Sequence, residues 1–241
     1  MSPRSEHVIV QRSIIRVLET SVSPSGRGLV KVEELSSPMK PITPGRREQL
    51  MRRGYRPLAL KVGWIAFEWN RLQEGLCELF ADVLGMREVA FAIWHSTPND
   101  RTQRDMLRAA LMAYETAEPP ELRLRDDAIW VLDHLNSLAG RRNNAIHAPL
   151  VFTNHATDGG FEVHMEVQDD TGNPRALGLS GKPLLEEFEW YRDHLSRLAQ
   201  FVEHLHWTKL FDDFPWPDRP RLPSRGQYRS RASARRKGSS K

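Results

Sequence analysis

A single cysteine, Cys77, stands among the 241 residues, so no disulfide can staple the chain internally and its fold must rest on apolar burial. Also missing is any run of the roughly 20 consecutive apolar residues needed to cross a bilayer. Lys61, Glu68, Arg71 and Glu74 interrupt the most hydrophobic region. No basic, apolar and small-residue succession marks a secretory signal, so a cytoplasmic chain without membrane association is expected. The phosphate-cradling GxxxxGK loop, the dinucleotide GxGxxG fingerprint and the GxSxG nucleophile elbow are all absent. Nucleotide-fold and serine-hydrolase chemistry therefore find no support. His204 and His206 lie too close along a helix to share a face, and no cysteine or suitably spaced acid completes a zinc set. Neither a metal nor a cofactor is expected.

The carboxyl end lacks acid. Residues 219–241 carry nine Arg or Lys and no Asp or Glu, whereas the other 26 basic residues face 31 acidic ones, a net −5. The overall charge of +4 thus describes the tail and not the body. Residues 216–241 read as a basic disordered tail, either a solubilising terminus or an arm that holds polyanions by releasing their counterions.

Helical periodicity dominates the rest. Residues 1–56 mix one apolar patch, HVIVQRSIIRVLE, with Pro, Ser and Gly clusters, and read as a partly disordered extension. From Pro57, the series Leu58, Val62, Ile65, Trp69, Leu72, Leu76, Leu79 and Val83 steps by four and three, predicting a long helix stopped by Gly85. Trp64, Phe67, Phe80 and Leu84 widen the seam, so more than one neighbour should pack there. A short helix, REVAFAIW, follows. Thr97 as N-cap, Pro98 and Asp100 then open a third helix, and Pro119 and Pro120 a fourth that runs to RRNNAIHAP at residues 141–149. Within an insertion at about 150–180, LVFTNHA and FEVHMEV flank the turn-rich TDGG as a hairpin, with RALGL as a third short strand. Helical spacing returns with Leu184, Phe188, Tyr191, Leu195, Leu198, Val202 and Leu205. The expected fold is mainly α: a compact bundle of four or five helices over residues 57–215, with a small β-hairpin insertion before the last long helix.

The chemistry-bearing residues gather in RRNNAIHAP. Arg142 lies five residues before His147, but with 28 arginines and nine histidines in 241 residues about one such pair arises by chance. Arg197 and His204 form a similar decoy. An Arg and a His in a last helical turn also complement the helix dipole, so apart from any wider pattern the stretch reads first as a well-capped end. Its fuller pattern is more specific: Arg142, the polar Asn143, then Asn144, Ala145 and Ile146, then His147, at the carboxyl end of a long amphipathic helix with another helix downstream. This arrangement resembles the HEPN superfamily, the higher eukaryotes and prokaryotes nucleotide-binding domains, over about residues 57–210. The resemblance implies a metal-independent endoribonuclease of the kind found in toxin or antiphage defence systems, built as a homodimer that brings two motifs together. RNA is the implied substrate and an antitoxin or regulatory protein a possible partner. The implied catalytic residues are Arg142, Asn143 and His147.

Those residue types suit the reaction. Attack by a ribose 2′-OH needs proton removal, proton donation and stabilisation of phosphoryl charge. An imidazole titrating near ~6.5 serves the first two, and an always-charged guanidinium serves the third. Asn143 lies one turn before His147 and can orient it, whereas Arg142 is about 140° away around a regular helix. Arg141, Asn144, Arg101, Arg104 and Arg108 extend the candidate RNA-binding surface, Arg101 and Arg104 near a helix start where anions bind readily. The alternative function is a non-catalytic HEPN-like module that binds nucleotide, RNA or protein. Trp94 is read as core, His95 as a lesser site candidate, and Trp216, set between two prolines, as a pin for the tail.

Overall fold

The computed structural model describes residues 43–113, 119–157, 160–168, 172–211, 213–226 and 228. The HVIVQRSIIRVLE patch, Asp158 and Gly159 of the hairpin turn, and the tail beyond Tyr228 lie outside them. The described residues form six helices and one hairpin, α1 (Pro44–Leu84), α2 (Arg87–Ser96), α3 (Asp100–Ala113), α4 (Pro119–His147), β1 (Leu150–Thr157), β2 (Gly160–Val167), α5 (Pro174–Leu177) and α6 (Leu184–Leu210). This is the mainly helical bundle expected, with its hairpin before the last long helix.

The seam of α1 builds the core: Leu58, Ile65, Trp69, Leu72, Leu76 and Leu79 are all buried. Opposite them α6 contributes Phe188, Tyr191, Leu195, Leu198, Val202 and Leu205, also buried. The two helices pack closely at Gly75, where an added Cβ would stand 2.7 Å from Val202 Cγ1. They run parallel, because Lys61 pairs with Glu189 and Arg71 with Glu203, in the same order along both. Against α6, α4 runs the other way, setting Trp130 against Phe201 and Arg141 against Trp190. Along α1, α2 turns back, and Trp94 packs on Phe80 with ring centroids 5.6 Å apart.

Four local expectations are corrected. Helix α1 begins at Pro44 rather than Pro57, with Pro57 in its interior; the residues before Leu58 are mostly exposed, so they show no apolar period to read. Trp64 and Phe67 do not widen the core, being 49% and 55% exposed. Thr97 ends α2, its hydroxyl donating to the Ile93 carbonyl at 3.0 Å, while Asn99 caps α3 by accepting from the Thr102 amide at 2.9 Å. RALGL is not a strand: Asn173 accepts from the Arg175 amide at 2.9 Å and Pro174 opens the short helix α5. The hairpin has the expected two strands, antiparallel with Leu150 opposite Val167 and Thr157 opposite Gly160.

Residues 216–226 and 228, expected in a disordered tail, are among the described residues and lie against the bundle. Residues 213–226 and Tyr228 form a strap over α4 and α6, anchored because buried carboxylates need partners. Trp216 Nε1 and Arg219 Nε donate to the two oxygens of Asp127 at 2.9 and 2.6 Å. Further along, the Pro223 carbonyl accepts from Trp190 Nε1 at 2.8 Å, Arg225 donates to Glu187 at 2.9 Å, and the Tyr228 hydroxyl donates to Asp193. The expected pin at Trp216 is therefore real, and the strap continues past it.

Candidate functional site

Helix α4 stays regular to its end, with the Ala148 amide donating to the Asn144 carbonyl at 3.0 Å. No loosening closes the angular gap between Arg142 and His147, and the two side chains leave the helix in different directions. Arg142 turns into the bundle, its guanidinium carbon 5.0 Å from the centre of the Trp69 ring. Its Nη1 donates to Asn143 Oδ1 at 2.8 Å and its Nη2 lies 3.5 Å from Asp100 Oδ2. That same carboxylate oxygen accepts from Trp69 Nε1 at 2.7 Å. Asp100 thus ties the first turn of α3 to the middle of α1 and the end of α4.

Arg104, one turn further along α3, completes the cluster. It is 4% exposed, lies 5.6 Å from the Trp69 ring centre, and donates through Nε to Asn136 Oδ1 at 3.0 Å. Burial depresses its pKa most, followed in opposition by Asp100 and Asp105, with Arg142 and Arg101 adding to the depression. Two cations thus flank one indole with a single carboxylate directly between helices. Arg104 Nη1 and Arg142 Nε are buried without a hydrogen-bond acceptor. Solvent still reaches the group, since the Arg142 and Asp100 side chains are 24% and 38% exposed.

His147 is exposed and makes no hydrogen bond or ion pair among the described residues. Asn143 is turned toward Arg142 and so does not orient it. The other expected site residues scatter. Arg101 is exposed beside Asp105 at 3.9 Å, and Arg108 donates to Asp133 at 2.5 Å, bracing α3 on α4. Asn144 lies against Gly178, where an added Cβ would come within 2.3 Å of its Nδ2. Trp94 is core, while His95 lies beside the Phe91 ring, 6.3 Å between centroids. His204 sits among Trp207 and Phe214, and His206 bonds to Asp82 at 2.7 Å. Among the described residues no group of His, Cys, Asp and Glu could hold a metal ion. Burial pushes the Cys77 thiol up to about 11, with Glu78 next in effect; it stays protonated near neutral pH and is no nucleophile.

Arg141 departs toward the opposite side of α4. Its guanidinium carbon is 5.2 Å from the Trp190 ring centre, and Arg225 of the strap lies 4.8 Å from that ring. Burial raises the Tyr191 phenol, against the nearby Arg141 charge. His194 packs on Trp190 and His134, with centroids 5.1 and 6.4 Å away. Burial first, then His134, Arg141 and Arg197, lower its pKa to about 4. Asp193 is held below the usual carboxylate range despite burial, by hydrogen bonds from Tyr228 and Arg192.

Trp69, Asp100 and Asn136 were not among the residues expected at the site. Asp100 carried one usable signal, an acid in the first turn of a helix, but that pattern speaks of capping and not of an arginine 42 positions away. No protein-family model, curated protein or solved structure matches the chain.

Proposed function

We propose that this chain is a metal-independent endoribonuclease of HEPN type, acting as a homodimer in a toxin or antiphage role. The observation that carries the reading is His147, exposed and unpaired at the end of the same helix that holds Arg142 over Trp69 and beside Asp100. A general acid or base must reach its proton directly, which a buried and satisfied imidazole cannot do. In the reaction, the RNA 2′-OH loses its proton as its oxygen attacks the adjacent phosphorus. The bond to the 5′ oxygen breaks and that oxygen takes up a proton, leaving a cyclic phosphate and a 5′-OH.

His147 suits either proton transfer. Arg142 exchanges Asp100 for a phosphoryl oxygen, with Trp69 keeping its plane fixed during the exchange. Because the two side chains of one protomer diverge around α4, the phosphate contact and the proton transfer in each site come from different protomers. Incubating the protein with mixed RNA in EDTA tests the reading. Cleavage by the wild type and a loss on the order of 10²- to 10⁴-fold for His147→Ala are expected. Equal cleavage by wild type, His147→Ala and Arg142→Ala ends it.

One observation favours a second reading, a non-catalytic module binding RNA, nucleotide or protein: the Arg142 Nη atoms already have Asn143 and Asp100 as partners within the protomer. That reading expects RNA binding that survives His147→Ala, with no cleavage under any condition.

A further inference from the structure

Helix α1 buries Trp69 on one side and exposes a second apolar stripe on the other. Leu60, Trp64 and Phe67 are 55%, 49% and 55% exposed, and they lie about 140° to 200° around the helix from Trp69. Trp64 and Phe67 pack edge to face on each other, 5.7 Å between centroids. Gly63 sits within this stripe, exposed, with helical backbone and open space where a Cβ would go. Among the described residues neither the turn of the chain nor any neighbour calls for a glycine there, although glycine is a poor helix former. Monomeric proteins rarely leave several large apolar side chains together on one helix face.

We infer that this face of α1 is where a second copy of the chain docks, as an antiparallel α1–α1 pair about a two-fold axis near Gly63 and Trp64. Self-complementarity singles out a second copy as the occupant. An axis there sets Leu60 opposite the partner's Phe67 and the two Trp64 rings beside each other, and Gly63 lets the helices approach. Arg56 and Glu74 are 18 residues apart, about five turns, so they lie on the same edge of α1. Each is exposed, and neither has an ion-pair partner among the described residues. An antiparallel pair brings Arg56 of each copy to Glu74 of the other, twice per contact. The remaining basic neighbour, Arg53, approaches the partner's Arg71, whose charge Glu203 and Glu68 already offset.

The contact is on the far side of α1 from Arg142 and so is separate from any pairing of the two His147 motifs. Mass rather than RNA cleavage therefore reads it, and it stands or falls apart from the proposed activity. Sedimentation and light scattering of the full chain should give an assembly whose mass Phe67→Glu halves, with the helical circular dichroism unchanged. Arg56→Glu should weaken association on the order of tenfold, and adding Glu74→Arg should restore it. These two positions are exposed, so the exchange does not depend on how the fold tolerates Phe67→Glu. A wild type of single-chain mass up to its solubility limit, a Phe67→Glu protein of undiminished mass, or an Arg56→Glu defect that Glu74→Arg leaves unrepaired overturns the inference.

Discussion

Arg141 and Arg142 are neighbours in sequence, and each stacks over a tryptophan, yet they serve different regions. Around Trp69 the guanidinium of Arg142 meets a carboxylate, an amide and solvent. Around Trp190 the guanidinium of Arg141 is enclosed with a second arginine, a phenol and a histidine stripped of its charge, beneath a strap of chain. The first group has an exchangeable counter-ion within reach of water. The second is closed by Pro223, Arg225 and Tyr228 and holds helices together. A stacked arginine therefore says little about function until its acid and its access are known.

Exchanging the two arginines one at a time breaks the comparison most sharply. Arg142→Ala should lower RNA cleavage on the order of 10²- to 10³-fold, while Arg141→Ala should leave the initial rate within about threefold, since nothing in its surroundings reaches substrate. Equal losses in a gel-based cleavage assay would remove the distinction.

The Trp190 side should govern acid stability. His194 has a folded pKa of about 4, below its unfolded value near ~6.5, so the unfolded chain binds the extra proton between these limits. The stability contributed by its burial is complete above about pH 6.5 and is lost as pH falls toward 4, on the order of 3 kcal/mol in all. Urea unfolding across that window should give a flatter profile for His194→Gln than for wild type.

Smaller effects sharpen the picture. Arg219→Ala leaves the buried Asp127 with Trp216 and a distant Arg123 at 3.9 Å. With Arg219 itself half exposed, a cost of about 2 kcal/mol in the urea midpoint is expected. Asn99→Ala removes the cap that starts α3 beside Asp100 and should cost about 1 kcal/mol by the same measurement. Cleavage should change little in the first variant and more in the second, whose loosened first turn carries Asp100.

Periodicity made most of the bundle legible. The four-three steps from Leu58 to Leu79 and from Phe188 to Leu205 mark faces that burial requires, and each became core. Trp64 and Phe67 obey the same local spacing but face outward, because a helix of 41 residues presents more apolar surface than the other described residues cover. Pro57 looked like a start signal because proline favours first turns; inside α1 it removes one backbone hydrogen bond and the helix continues around it. The strap escaped because Asp127, Glu187 and Asp193, its anchors, sit 89, 38 and 35 residues from their partners Trp216, Arg225 and Tyr228. At the site, the divergence of Arg142 and His147 follows from helical geometry alone. The Asp100 link does not, since it joins helices through space.

The parallel packing of α1 and α6 also sets a schedule for the newborn chain. Its cross-links join residues 132 and 124 positions apart, Arg71 to Glu203 and Asp82 to His206. At about 5–20 residues per second, a ribosome needs roughly 6–26 s to add that stretch. For that interval the apolar seam of α1 has no α6 to cover it, only the helices made before α6. Contacts of such long range also slow folding, so this seam closes only after most of the chain has been made.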